Sequence, residues 1–250
     1  MKERKDLGSP WRIGCSGFSM RPSEYFERFN VVEVQESFYD PPTERTLAKW
    51  RRTAPDGFAF TMRAWQLITH PASYSGYQRI RRPWDQEARH RFGLFQPTEQ
   101  TKWAWGVVRR SAEILDAKAV VFHTPSSFTP TRENKENFSR FFGSVERGPY
   151  HLVWEPGGMW EDEEIEALCR EFGLIGASDP LISNPSPGEI FYFRIKEKTR
   201  SRGAHGEDDF FQIQDRAVAG RERVGEGFFI WTTRDAAQDA HRFRKWCANT

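Results

Sequence analysis

Cysteine is scarce in this chain: Cys15, Cys169 and Cys247 are the only three in 250 residues, far apart and without C-x-x-C spacing. That argues against a disulfide framework or a zinc ribbon and fits small buried hydrophobes in a reducing compartment. Long apolar runs are missing too; none approaches the roughly 18 residues of a membrane span. The opening MKERKDLGSPW is charged and has no apolar stretch, so no secretory signal is expected there and a cytoplasmic location is. Net charge is only +2, too little to point by itself to a nucleic-acid or membrane partner. Neither the Walker nor the dinucleotide-binding glycine spacing occurs, which argues against an NAD enzyme, and no H-E-x-x-H, Ser–His–Asp or Cys–His order stands out.

Aromatic residues are abundant. They make up 15% of the chain, with ten tryptophans, and hydrophobic residues reach 38%. A sizeable core is therefore expected. Strand-like runs alternate with helix-like ones. WRIGCSGF (11–18), VVEVQESFY (31–39), GFAFTMRAW (57–65), AVVFHTP (119–125), YHLVWEP (150–156), GLIGASDP (173–180), EIFYFRIK (189–196) and GFFIWTT (227–233) read as eight strands. Thr43 suits an N-cap for the helix that follows, and EDEEIEALCREFG (161–173) carries acids at its start and glycine at its end, as the helix dipole and a left-handed C-cap favour. Eight strands with helices after most of them predict an α/β fold, a TIM-type (β/α) barrel that need not be regular, as a single domain over 1–250. Two stretches look like elaborated loops, 66–101 and 197–226; no convincing helix is visible in the second.

Within the strands, hydrophilic residues fall on one parity. Val32 and Val34 oppose Glu33, Gln35 and Ser37; Phe58, Phe60 and Met62 oppose Thr61 and Arg63; Leu152 and Trp154 oppose Val153 and Glu155; Phe191, Phe193 and Ile195 oppose Tyr192, Arg194 and Lys196. Alternate strand residues share a face, so the polar set would converge inside a barrel or at its mouth. Glu33, Glu155, His70 and His123 become the candidate acid–base residues, and Tyr39, Arg63, Asp179, Tyr192, Arg194 and Lys196 the candidate anion-holding ones. Buried carboxylates need partners; Glu33–Arg63 and Glu155–Arg194 are the pairs the sequence suggests. His70, His123, Glu155 and Asp179 are of the right types for a divalent metal, but their spacing carries no signature, so no metal ligand is assigned and the cofactor is left unknown. His90, His205 and His241 receive no role.

Several stretches together resemble one family. VVEVQESFYDPP is similar to the E-x-N-x-x-FY-x-x-P signature of the YecE-like family, also called domain of unknown function 72. IGCSGF, APDGFAFTMRA after Trp50, ITHP (68–71), VVFHTPSSF (120–128), WEPGGMW (154–160), SDP (178–180), YFRI (192–195) and DAAQDAHRF follow in order. The resemblance implies a TIM-type barrel and brings no established activity. It also marks departures: Arg63 stands where family members usually have Lys, Gly157 where they have Arg, His123 near a common Gln, and Trp231 and Thr232 where an Asn–Asn pair is usual.

Three functions stay open on the sequence. The first is an enzyme of lyase, isomerase or hydrolase type acting on a small anionic, phosphorylated or sugar-like ligand at the barrel mouth. The second is a nucleic-acid-binding or processing protein that uses the basic stretches 79–91 and 194–202. The third is a non-catalytic binding module. No membrane partner is expected, and oligomeric state is not readable.

Overall fold

The computed structural model describes residues 11–184, 188–197, 205–221 and 225–248. Eight strands, β1 (Trp11–Ser16), β2 (Val31–Val34), β3 (Ala59–Arg63), β4 (Ala117–His123), β5 (His151–Glu155), β6 (Ile175–Ser178), β7 (Ile190–Ile195) and β8 (Glu226–Trp231), follow chain order in a closed parallel barrel. No helix among the described residues is long and apolar enough to cross a membrane. Contacts gather the chain into two compact units, one of residues 1–33, 54–59 and 175–250, the other of 34–53 and 60–174.

In the first unit, β1 pairs with β2 and β8, and β7 with β6 and β8. Helix α1 (Pro22–Arg28) is tied to them by Tyr25, whose buried hydroxyl accepts from the Cys15 amide at 2.7 Å and donates to the Val31 carbonyl at 3.0 Å. Trp11 stacks on Phe229 with centroids 4.8 Å apart and meets Phe191 edge-on. Such aromatic pairs add to the area they bury.

The second unit holds β3, β4 and β5 with six helices: α2 (Glu36–Tyr39), α3 (Glu44–Thr53), α4 (Gln66–Thr69), α5 (Glu99–Leu115), α6 (Arg132–Ser144) and α7 (Asp162–Phe172). Local chemistry sets their ends. Thr43, Thr98 and Thr131 each accept an amide from the residue three places on, at 3.2–3.3 Å, satisfying donors that a helix start leaves open. Helix α7 begins on Asp162, Glu163 and Glu164 and ends at Gly173 with φ +57°, as its sequence predicts. Phe95 anchors the core: it lies within 5.2–6.1 Å of the rings of Phe122, Phe128, Phe138, Phe141 and Phe142. Truncating such a residue to alanine costs about 3–5 kcal/mol.

Two local expectations fail. The strand read over 31–39 stops at Val34. Gln35 takes helical angles and 36–39 form a single turn, α2, because the Ser37 hydroxyl binds the carbonyls of Val34 and Arg63, both at 2.7 Å. A serine bonding nearby backbone gives the chain an alternative to the sheet ladder. The stretch 66–101, expected as an elaborated loop, is built from short pieces. It contains α4 and two 3₁₀ turns, Ser75–Arg79 and Arg89–Arg91, and the amides of Gly93 and Phe95 are pinned to the carbonyls of Leu67 and Ile68. Gly93, Leu94 and Phe95 all have positive φ, and a Cβ on Gly93 would strike the His70 carbonyl oxygen, so glycine is required there. Finally, 197–226 is not helix-free: α8 (Glu207–Arg221) occupies much of it, and α9 (Ala236–Ala248) closes the chain. Of the second basic stretch, Lys198, Arg200 and Arg202 lie outside the described residues.

Candidate active site

Strand register brings the candidate residues together, in one cluster within each unit. In the first, Ser16 pairs with Glu33 across β1 and β2, so the two side chains are neighbours on one face. Tyr192 and Arg194, two apart on β7, share a face in the same way. The Glu33 carboxylate is fully buried and takes three hydrogen bonds: from Ser16 Oγ at 2.7 Å, Tyr192 Oη at 3.0 Å and Arg194 Nη2 at 2.9 Å. Arg194, suggested by the sequence as a partner for Glu155, lies against Glu33. Three converging donors suit a carboxylate acting as acceptor.

Asp179 and Lys196 also lie in this unit, just beyond the ends of β6 and β7. Asp179 accepts the amide of Leu181 at 3.0 Å and that of Lys196 at 3.3 Å. Burial raises its pKa, and those two amides, with the charges of Lys196 and His205, pull the other way. Its visible work is to fix the chain after β6. Sequence reasoning missed a further pair here. His205 Nδ1 lies 3.2 Å from Asp239 Oδ2, both side chains being buried, and Thr233 Oγ1 donates to the same oxygen at 3.2 Å. The partners are 34 residues apart and no motif joins them.

In the second cluster, β4–β5 register sets His123 beside Glu155. His123 Nδ1 is 2.7 Å from Glu155 Oε2; the glutamate side chain is 4% exposed and the histidine 33%. With Nδ1–H donating to the carboxylate, the ring's lone pair is on Nε2. His70, at the end of α4, sits 5.9 Å from His123, 4.9 Å from Phe38 and 4.5 Å from Tyr74, ring to ring, and its Nδ1 is 2.9 Å from Thr69 Oγ1. Burial lowers its pKa to about 3, with the charges of His123 and Arg63 adding to the effect. A neutral, hydrogen-bonded imidazole thus stands behind a partly open one. Arg63 is buried, with its guanidinium 4.1 Å above the Phe38 ring. Tyr39 is half-buried; its carbonyl accepts from Trp65 Nε1 and Gln66 Nε2, and its ring lies under Arg79.

Among the described residues, no three His, Cys, Asp or Glu side chains converge as a metal cage would require. Chemically, the second cluster offers a partly open imidazole held by a buried carboxylate, an arrangement suited to moving a proton. The first offers a carboxylate that already accepts three hydrogen bonds.

Solved structures with the same fold agree with the barrel. A DUF72 family protein from Enterococcus faecalis V583 superposes with a TM-score of 0.72 at 15% identity, covering 99% of this chain and 100% of that one. A DUF72 family protein from Thermotoga maritima MSB8 gives 0.69 at 20% identity, covering 95% and 99%. A xylose isomerase domain containing protein from Salmonella typhimurium LT2 gives 0.57 at 14% identity, covering 95% and 96%. No curated protein matches. The family model described as "Protein of unknown function DUF72" matches residues 12–174, well over half of the chain, and with the barrel and the ordered motifs this places the protein in the DUF72 family.

Proposed function

We propose that this chain works as one domain, an enzyme that moves a proton on a small anionic substrate, with His123 as the acid–base group. The observation that carries the reading is the 2.7 Å contact between His123 Nδ1 and the buried carboxylate of Glu155. A buried carboxylate orients the ring and stabilises the imidazolium formed when Nε2 takes a proton. His123 is exposed enough to meet a ligand, whereas Glu33 already accepts from three donors. In this reading Glu155 orients His123, His70 packs behind it as a neutral ring, and Arg63 supplies positive charge for the anion. Glu33, Tyr192 and Arg194 form a rigid support, which revises the acid–base role the sequence suggested for Glu33. Proton abstraction next to a carbonyl, as in isomerases and lyases, matches a single histidine base more simply than hydrolysis does.

The test is solvent-deuterium incorporation, followed by NMR, across a panel of phosphorylated and carboxylated hydroxy-aldehydes and hydroxy-ketones. The wild-type protein should label at least one of them. His123→Gln should abolish labelling, and Glu155→Gln should cut it about 100-fold, within the range of general acid–base contributions. Labelling that survives in His123→Gln, or a panel that stays unlabelled with wild-type protein, removes the proposal.

A further inference from the structure

A cleft of about 660 Å³ opens beside α2, with Gln35, Glu36, Tyr39, Asp40, Gln78, Arg79 and Arg81 on its walls; Asp40 is already paired with Arg82. Cavities of several hundred cubic ångströms are the usual size for small-ligand sites. The arginines of this region are not equivalent. Arg82 Nε is paired with Asp40 at 3.0 Å and its Nη2 donates to the Pro41 carbonyl, while Arg89 donates to the Ala72 carbonyl. Those two hold the segment in place. Among the described residues, the guanidinium groups of Arg79 and Arg81 have no ion-pair partner, although both line the cleft. The Arg81 amide instead donates to Asp40 at 3.2 Å, which fixes the backbone and leaves the side chain to the cleft.

We propose that this cleft is a binding site for a phosphate monoester carrying hydroxyl groups, that is, a sugar phosphate. Two unpaired guanidinium groups match a dianionic phosphate, since each can donate two parallel hydrogen bonds. Beside them, the Glu36 carboxylate and the Gln35 and Gln78 amides supply the acceptors and donors that hydroxyl groups need. One face of the Tyr39 ring is covered by Arg79, whose guanidinium carbon is 3.4 Å from the ring centre, so that face is closed to a nucleobase. The site goes beyond the proposed function, and its evidence is separate. None of its lining residues belongs to the His123–Glu155 pair.

Isothermal titration at low salt with inorganic phosphate, ribose, ribose phosphate and a thymidine oligonucleotide tests it. Ribose phosphate should bind more tightly than inorganic phosphate, and ribose should bind least. Arg79→Gln and Arg81→Gln, both at exposed positions, should each weaken ribose phosphate about tenfold or more, the loss expected for one charge-assisted contact. Glu36→Gln gives a sign test: it should strengthen inorganic phosphate, by removing a like charge, and weaken the preference for ribose phosphate over it. His123→Gln should leave all these affinities unchanged, so an active-site failure and a cleft failure are told apart. The inference is overturned if neither phosphate ligand binds at millimolar concentration, if the arginine variants bind as wild type does, or if the oligonucleotide binds tightest with a steep salt dependence.

Discussion

Glu33 and Glu155 invite comparison because one construction yields two opposite results. Each is a buried glutamate on a parallel strand, and each is partnered by the residue that register places beside it on the preceding strand, Ser16 for Glu33 and His123 for Glu155. Around Glu33 the partners are a hydroxyl, a phenol and a buried guanidinium, and the group is sealed. Against Glu155 the partner is an imidazole one-third open to solvent. The difference teaches that register brings side chains together, while the chemistry of the neighbour decides whether the carboxylate is sealed or shares its charge with a group open to solvent.

The comparison can be broken most sharply at Glu33. Glu33→Ala removes the shared acceptor of Ser16, Tyr192 and Arg194 and should cost about 3–5 kcal/mol in urea unfolding, the range for breaking a buried ion pair on one side. A loss below about 1 kcal/mol would show that the cluster is not a brace. Next comes pH. His70 stays neutral in the folded protein down to about pH 3, whereas in the unfolded chain it takes a proton near pH 6.5. Above that pH both states are neutral and no penalty exists. Below it the unfolded chain binds the extra proton, so stability falls as the pH drops towards 3. Between pH 6.5 and 4.5, where few carboxylates titrate, the fall should be about 2 kcal/mol, and His70→Phe should flatten it. A wild-type slope that persists in that variant would assign the effect elsewhere. Glu155→Gln keeps the shape but weakens the bond to His123 and should cost about 1–2 kcal/mol. The smallest effect is expected for His123→Gln, under about 1 kcal/mol because the ring is partly solvated; thermal melting of the two variants side by side measures the order.

Much of this was readable from the residues. Strand parity put Glu33, Tyr192 and Arg194 on facing sides, and alternation of strands with helices gave the barrel. What escaped has physical reasons. The turn into α2 rests on two hydrogen bonds from one serine, Ser37, and one of the two carbonyls it meets belongs to Arg63, 26 residues away. No local pattern predicts that. Helix α8 did leave a signal: Phe210, Ile213, Gln214 and Ala217 are buried at helical spacing behind the acids Glu207, Asp208 and Asp209. A glutamine within the stripe hid its apolar character. The neutrality of His70 was not visible either, since it comes from burial under Phe38 and Tyr74 more than from any sequence neighbour. The His123–Glu155 pairing needed the β4–β5 register, which the sequence does not print.

Gly157 stands where the family resemblance leads one to expect arginine. Its amide donates to Thr124 Oγ1 at 2.8 Å, and any side chain added there would run into the Thr124 carbonyl oxygen and the Pro125 backbone. An arginine there would therefore displace the turn just after His123, so that charge cannot be added at position 157 without moving the backbone that follows the histidine.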